Sequence, residues 1–556
     1  MKHLFLGLIA GTGLIFAAPK MAPDIPNVSP STPVEVIVRF KSSPTKDDLK
    51  LLGPYGQVKR TLDVVNAVHI ALPRQALDAL AANPSILYIS PNRPLTSTLD
   101  VATQAANANL AWSTGWTGTG VAVAVIDSGI ALKHDFTGPD GVTSRVVYSQ
   151  SFVAGQDATD AYGHGTHVAG IIGSSGIDST GSVFFRTFKG IAPNVKLVSL
   201  KVLDQNGGGQ ESDVIAAIQT AISLKNIYNI RVINLSLGRP VFESYKLDPL
   251  CQAVEAAWNA GITVVVAAGN SGRDNSHSTY GYGTIASPGN DPYVITVGAA
   301  NAKGTASRLD DAMASYSSKG PTAIDHLVKP DLVAPGNGMV SVLASPNCTL
   351  FANFSRTRIS NSYYQMQSPS GYSTNYFQLS GTSMATPVVS GAAALLIQKN
   401  PSLTPAQVKA RLMKTAAKTL PMYSLGVDLA TFLSFSIQAD IFTIGAGYVD
   451  IAAALANNDR ATLQALSPVA TYDSASHKVS ILRDFTVVWG DNVVWGDTVV
   501  WGSAVFAGKL LNGASVVWGD TVVWGTSTAA GFNVVWGDST NLNATPMAMS
   551  DADRDL

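Results

Sequence analysis

The sequence predicts an α/β protein built on a mostly parallel sheet sandwiched by helices, with a small α+β unit before it and a β-type repeat region after it. Three observations lead there. Between residues 110 and 458, near-continuous apolar runs alternate with helical stretches, the pattern of parallel strands buried on both faces. From Val34 to about Pro94 the pattern is instead short, alternating strands around a helix. After Phe485 one tetrapeptide recurs six times.

Composition narrows the function. The chain has 556 residues, 37 Lys and Arg against 38 Asp and Glu, and only 13% charged residues, about half the ~25% usual in soluble domains. Holding a phosphate backbone needs clustered Lys and Arg, so nucleic acid is excluded as a partner. With 46% apolar residues the chain is no disordered polymer.

Met1, Lys2 and His3 precede an apolar run from Leu4 to Phe16 and the small pair Ala17 and Ala18. That run is shorter than the ~20 residues that cross a bilayer, so residues 1–18 read as a cleaved export signal and the mature chain as secreted, extracellular or periplasmic. No later stretch is long and apolar enough to span a membrane. Residues 19–33, rich in Pro, Ser and Thr, form a linker.

In the unit at 34–98, Val34, Val36 and Val38 alternate as a strand, Ala76 to Ala82 is helical and Ile86 to Ser90 is a strand. The large domain at 110–458 has expected strands at Val121 to Ile126, Val195 to Leu203, Val232 to Leu237, Ile262 to Ala268 and Tyr293 to Val297. Helices are expected at 211–228 and 249–260. A second linker spans 459–484, the repeats 485–540 and a tail 541–556.

The repeat is Val-Val-Trp-Gly, with Trp489, Trp495, Trp501, Trp518, Trp524 and Trp536, most of them a multiple of six residues apart. An even period keeps every Trp on one face of an extended chain, and the Gly-Asp or Gly-Thr that follows is turn chemistry. A stacked β array follows, and its tryptophan face suits self-association or binding to a surface.

Ligand groups in open α/β sheets gather beyond the carboxyl ends of the strands. Here the first apolar strand runs into Asp127-Ser128-Gly129. Gly163-His164-Gly165-Thr166-His167 opens a small-residue helix. Gly381-Thr382-Ser383-Met384-Ala385-Thr386-Pro387 precedes an apolar helix from Val388 to Ile397, with Pro387 in its first turn. A serine at a helix N-terminus sits where free amides and the dipole favour developing negative charge. These are the parts of a nucleophile, a base and its orienting carboxylate.

Those three segments resemble the subtilisin-like serine proteases, whose chain order of Asp, His and Ser they share. The resemblance spans roughly residues 110 to 458 and takes in Asn234-Leu235-Ser236-Leu237-Gly238, Ala267-Ala268-Gly269-Asn270 and Lys329-Pro330-Asp331. It implies a serine endopeptidase acting on proteins and peptides, with no cofactor for catalysis. Ser383 would attack the carbonyl, His164 would carry the proton and Asp127 would orient the imidazole. The Asn270 amide and the Ser383 backbone N–H would form the oxyanion hole.

Ser236, Leu237 and Gly238 resemble the segment that pairs with substrate backbone, and Ala267, Ala268 and Gly269 one wall of the first specificity pocket. No acidic residue occurs in these pieces, so cleavage after apolar or aromatic residues is expected. The unit at 34–98 resembles the family's inhibitor-type propeptide, a ferredoxin-like α+β domain that makes the chain a self-processed zymogen, cut between Asn92 and Thr103.

Asp135 aligns with a calcium ligand of the family, so a structural calcium is carried forward as an expectation, although its loop is shorter than the family's. The His164 and His167 pair lacks further metal-ligating neighbours, which leaves His167 a structural helix residue. Cys251 and Cys348 allow one bridge or two inert thiols. A second class of function, an adhesion or assembly protein that uses the repeats and carries an inactive protease core, is the alternative.

Overall fold

The computed structural model describes residues 20–22, 25, 28–62, 66–91, 99–276, 279–366, 370–473 and 478–482, with short stretches at 488–489, 493–494, 545–546 and 555. The chain divides into two units, Met1–Thr96 and Ser97–Leu556. Residues 1–18, expected to be an export signal, lie outside the described residues, as does most of the repeat region. Of the latter, Val488–Trp489 and Val493–Val494 form an antiparallel pair.

In the first unit, β1 (Pro33–Phe40), β2 (Gln57–Leu62), β3 (Ala67–Pro73) and β4 (Ile86–Pro91) form an antiparallel sheet of order β2-β3-β1-β4. Helices Lys46–Leu52 and Ala76–Ala82 connect them in a βαββαβ chain, the ferredoxin-like arrangement. Val34, Val36, Val38 and Phe40 point to one face of β1 and pack with Ile70, Leu72, Leu77 and Leu80. The Lys46–Leu52 helix escaped the sequence reading because it is mostly charged. Its signal was the capping box in which Thr45 and Asp48 exchange backbone and side-chain bonds.

The second unit holds an eight-stranded sheet. Its strands are β5 (Ala122–Asp127), β6 (Val146–Ser151), β7 (Lys196–Lys201), β8 (Ile230–Leu235), β10 (Thr263–Ala267), β11 (Ile295–Asn301), β12 (Ala312–Met313) and β13 (Leu332–Pro335), while Leu237–Gly238 forms the short β9 outside it. The order is β12-β11-β10-β8-β5-β7-β6, with β13 on β11. Every neighbour pair is parallel except β11 with β12.

The apolar runs are continuous because both faces are buried. Along β5, Val123 and Val125 face a core shared with helices His164–Gly173 and Thr382–Lys399. Ala122, Ala124 and Ile126 face helices Glu211–Tyr228 and Pro249–Asn259. From Thr382 to Ile397 every side chain is buried, so this helix runs through the core with no solvent face.

That helix starts six residues earlier than its apolar run suggested, placing Ser383 in the first turn and Pro387 in the second. Proline there has no N–H to give the carbonyl of Ser383 four residues back. The Ser236 hydroxyl supplies the missing donor at 2.9 Å.

Candidate active site

Strands β10, β8 and β5 are adjacent and parallel, so their carboxyl ends bring Asn270, Ser236 and Asp127 to one edge of the sheet. Helices His164–Gly173 and Thr382–Lys399, packed against each other, bring His164 and Ser383 to the neighbouring layer.

His164 Nδ1 lies 2.7 Å from Asp127 Oδ1, both side chains being fully buried. The same carboxylate oxygen accepts the Ser128 N–H at 2.7 Å. An Nδ1 proton engaged by a carboxylate leaves Nε2 as the ring's lone-pair nitrogen, and His164 Nε2 has no hydrogen-bond partner among the described residues. Ser383 Oγ donates at 3.1 Å to the carbonyl of Ser236. Thus the structure holds the Asp127–His164 pair formed and the serine hydroxyl turned to a backbone acceptor.

Asn270 Oδ1 accepts from the Thr382 N–H at 2.9 Å and from Thr382 Oγ1 at 3.0 Å. With that oxygen committed, Nδ2 is the side chain's donor, beside the first turn of the serine helix. Thr382 Oγ1 also receives the Gly269 N–H at 3.2 Å, tying the two segments together.

Ser236 is inward-facing, bonded through its hydroxyl to Ser383 and Asn234, and Asn234 in turn accepts from Ser390 at 2.8 Å. Leu237 and Gly238 form β9, paired antiparallel with Thr545–Pro546. Ala267 ends β10, and Ala268 spends its N–H on Val297 and its carbonyl on Ala286, so these residues form a fixed wall.

Sequence reasoning missed Asp160. Its buried carboxylate accepts from Ser128 Oγ at 2.8 Å, the Gly163 N–H at 2.7 Å and the Thr166 N–H at 2.8 Å. One side chain therefore pins both the turn after Asp127 and the start of the helix that carries His164. Burial pushes its carboxyl above the usual range, opposed by these bonds. An acidic residue just ahead of a glycine-led helix start was its available signal. Close packing is needed here too, since a Cβ on Gly165 would stand 2.2 Å from the Gly129 carbonyl.

His167 sits one turn on, its Nε2 3.0 Å from the Met339 carbonyl and its ring edge-on to Phe377. Burial drives its pKa down to about 3, so it is neutral and structural.

Asp135 does not fit the calcium role. One oxygen accepts from Tyr376 Oη at 2.6 Å and the other from the Asp178 N–H at 3.1 Å, and burial raises its pKa to about 6. Beside it the Arg145 guanidinium donates to the carbonyls of Asp135, Thr137, Gly173 and Val195, at 2.7 to 2.9 Å. A built-in cation thus takes carbonyl oxygens of the kind calcium would coordinate. Among the described residues no cluster of three or more His, Cys, Asp or Glu could hold a metal. Cys251 and Cys348 are both free and buried, and burial raises both thiols.

Residues 118–438 match the model of the subtilase family. The chain belongs to the subtilase family. It is similar to the serine protease AprX of Bacillus subtilis, 37% identical over 68% of this chain and 81% of the relative. Subtilisin E of Bacillus subtilis is 34% identical over 75% of this chain and 94% of its own length. A solved structure, described as a cold adapted subtilisin-like serine proteinase, is 30% identical, covers 55% of this chain and 85% of its own, and has a TM-score of 0.38. This subtilase is a serine-type endopeptidase that needs no cofactor for catalysis. Among its described residues no helix is long and apolar enough to cross a membrane.

Proposed function

We propose that this subtilase is exported as a zymogen and cleaves proteins through Ser383, His164 and Asp127, with Asn270 and the Ser383 N–H as oxyanion donors. The observation that carries this is the buried 2.7 Å contact between Asp127 and His164, with Nε2 left open as an acceptor. A rotation of Ser383 Oγ away from the Ser236 carbonyl puts its proton at the disposal of that nitrogen. Attack on a peptide carbonyl then forms an acyl-enzyme, with the proton passing from His164 to the leaving amine. A water deprotonated by the same imidazole releases the acid. Asn270 would lower the barrier by about 3 to 4 kcal/mol, on the scale of the corresponding asparagine in subtilisin.

Leu237 and Gly238 would pair with extended substrate backbone, and the uncharged wall at Ala267 to Gly269 favours apolar or aromatic side chains. The ferredoxin-like first unit would serve as the inhibitory propeptide, released by a cut between Asn92 and Thr103. Export rests on the apolar leader at residues 1–18, and the tryptophan repeats would self-associate or bind a surface.

A fluorophosphonate probe tests the assignment directly. The processed protein should label at Ser383, and Ser383→Ala should lose labelling and about a millionfold in turnover, the loss seen on removing the subtilisin nucleophile. Labelling elsewhere, or full turnover in that variant, would refute it.

A further inference from the structure

A stretch of chain far from His164 in sequence grips the turn that leads into it. β14 (Met339–Val342), β15 (Arg358–Ser360) and β16 (Tyr372–Leu379) form a separate sheet of order β14-β16-β15, and the helix Thr349–Asn353 lies between β14 and β15. β14 packs on the His164–Gly173 helix, where the Ser341 hydroxyl donates to the His167 carbonyl at 2.8 Å. The residues after β14 then reach the start of that helix. The Thr349 N–H donates to the Ala161 carbonyl at 3.0 Å and the Leu350 N–H to the Tyr162 carbonyl at 3.1 Å. The first N–H groups of a helix lack a carbonyl inside it, and here the residues ahead of Gly163 supply two. Gly163 itself stands at φ 100, and a Cβ there would lie 2.5 Å from the Cys348 sulfur, so the thiol rests on the glycine that starts the His164 helix.

Thr349 also holds a second loop. Its hydroxyl donates to the Gln205 carbonyl at 2.6 Å. Gln205 belongs to the loop after β7, whose Val202 N–H donates to the Asp127 carbonyl at 2.8 Å. One residue thus joins the turn that carries His164 to the loop that begins on Asp127. Two side chains bridge the same loops, Gln156 Nε2 to Gln205 Oε1 at 2.6 Å and Lys201 Nζ to the Thr159 carbonyl at 2.7 Å. Asp160 pins this turn to Ser128 through its carboxylate, and Thr349 pins it to the β7 loop through its N–H and hydroxyl.

We propose that Thr349 is a positioning residue for the hydrolytic reaction: with Cys348 and Leu350 it forms a bracket that sets the His164 imidazole against Asp127. This rests on His164 being the general base. None of the bonds named above goes to a reacting atom, so loosening the bracket costs turnover and spares binding. A displacement of about 1 Å in a group that must carry a proton lowers a rate by up to about a hundredfold.

The test compares Thr349→Val, which keeps the shape and removes the hydroxyl, with Thr349→Ser, which keeps the hydroxyl. On a chromogenic tetrapeptide Thr349→Val should lose about tenfold to a hundredfold in kcat with KM within about twofold, and Thr349→Ser should stay within about threefold of the parent kcat. Parental kcat in Thr349→Val, an equal loss in Thr349→Ser, or a change confined to KM would overturn the proposal. Proton NMR reads the bracket without turnover. The proton between His164 Nδ1 and Asp127 should give a far-downfield resonance, assigned by its loss in His164→Ala, that shifts or broadens in Thr349→Val and persists in Thr349→Ser. No such resonance in the parent, or the same one in the parent and both variants, would overturn the proposal. If Thr349→Val fails to fold, Cys348→Ala, which lifts the sulfur off Gly163, should lower kcat about threefold or more with KM unchanged, and parental kcat there would refute the bracket. If the parent neither labels with fluorophosphonate nor hydrolyses peptide, the catalytic reading fails by itself, and the resonance alone decides the bracket.

Discussion

Ser236 and Ser383 bond each other twice. The Ser383 hydroxyl donates to the Ser236 carbonyl at 3.1 Å, and the Ser236 hydroxyl donates to the Ser383 carbonyl at 2.9 Å. The second bond exists because Pro387 leaves that carbonyl without its helical donor. A helix-breaking residue and a strand-end serine thus fix the proposed nucleophile together.

Replacing Ser236 with alanine should therefore strand the Ser383 carbonyl and one Asn234 amide proton in the core. Each such loss costs about 1 to 3 kcal/mol. Urea unfolding of Ser236→Ala should show a stability loss of that order, with kcat falling more than KM rises. An unchanged midpoint would mean that water replaces the hydroxyl.

Asn270→Ala should lower kcat by about a hundredfold to a thousandfold with KM nearly constant, since the amide acts only on the developing oxyanion. Steady-state kinetics on a small peptide checks this. A change confined to KM would assign Asn270 to ground-state binding instead.

Asp160→Ala should be more damaging to folding than to binding, because three buried donors lose one acceptor. About 3 kcal/mol or more of stability should go. Since Ser128 and Gly163 flank the Asp127 and His164 pair, surviving folded enzyme should also turn over more slowly. Calorimetry and active-site titration of the same sample separate the two effects.

His167 sets a pH dependence. Its folded pKa, about 3, lies below the ordinary histidine value of 6.5. As pH falls below 6.5 the unfolded chain takes up a proton that the folded chain refuses. Stability from this group is complete above 6.5 and declines towards pH 3, by up to about 1.4 kcal/mol per pH unit. His167→Gln, which retains a donor for Met339, should flatten the urea midpoint against pH in that window. Identical slopes in parent and variant would refute the assignment.

The sheet and the three proposed catalytic side chains were legible because each leaves a local mark. Asp127 ends an apolar run, His164 opens a small-residue helix and Ser383 precedes a long apolar one. What stayed hidden depends on residues far apart in the chain. Asp160 looks like a loop acid until its three donors converge on it, and Ser236 shows no sign of serving a helix 147 residues away. Asp135 was a calcium candidate on alignment alone, and only the packed structure reveals Tyr376 and Asp178 on its oxygens. Asp555 likewise bonds Arg273, Ser315 and Asn337, distant positions with no shared periodicity.

Arg145 gathers four main-chain oxygens with a positive charge that is part of the polypeptide. Its pKa, held down to about 10 by burial, still leaves it ionised at neutral pH. A free ion in that place would obey mass action and wash out in a chelating or very dilute medium. A guanidinium joined to the backbone has no dissociation constant. Those four oxygens are thereby held by a charge that cannot leave the chain.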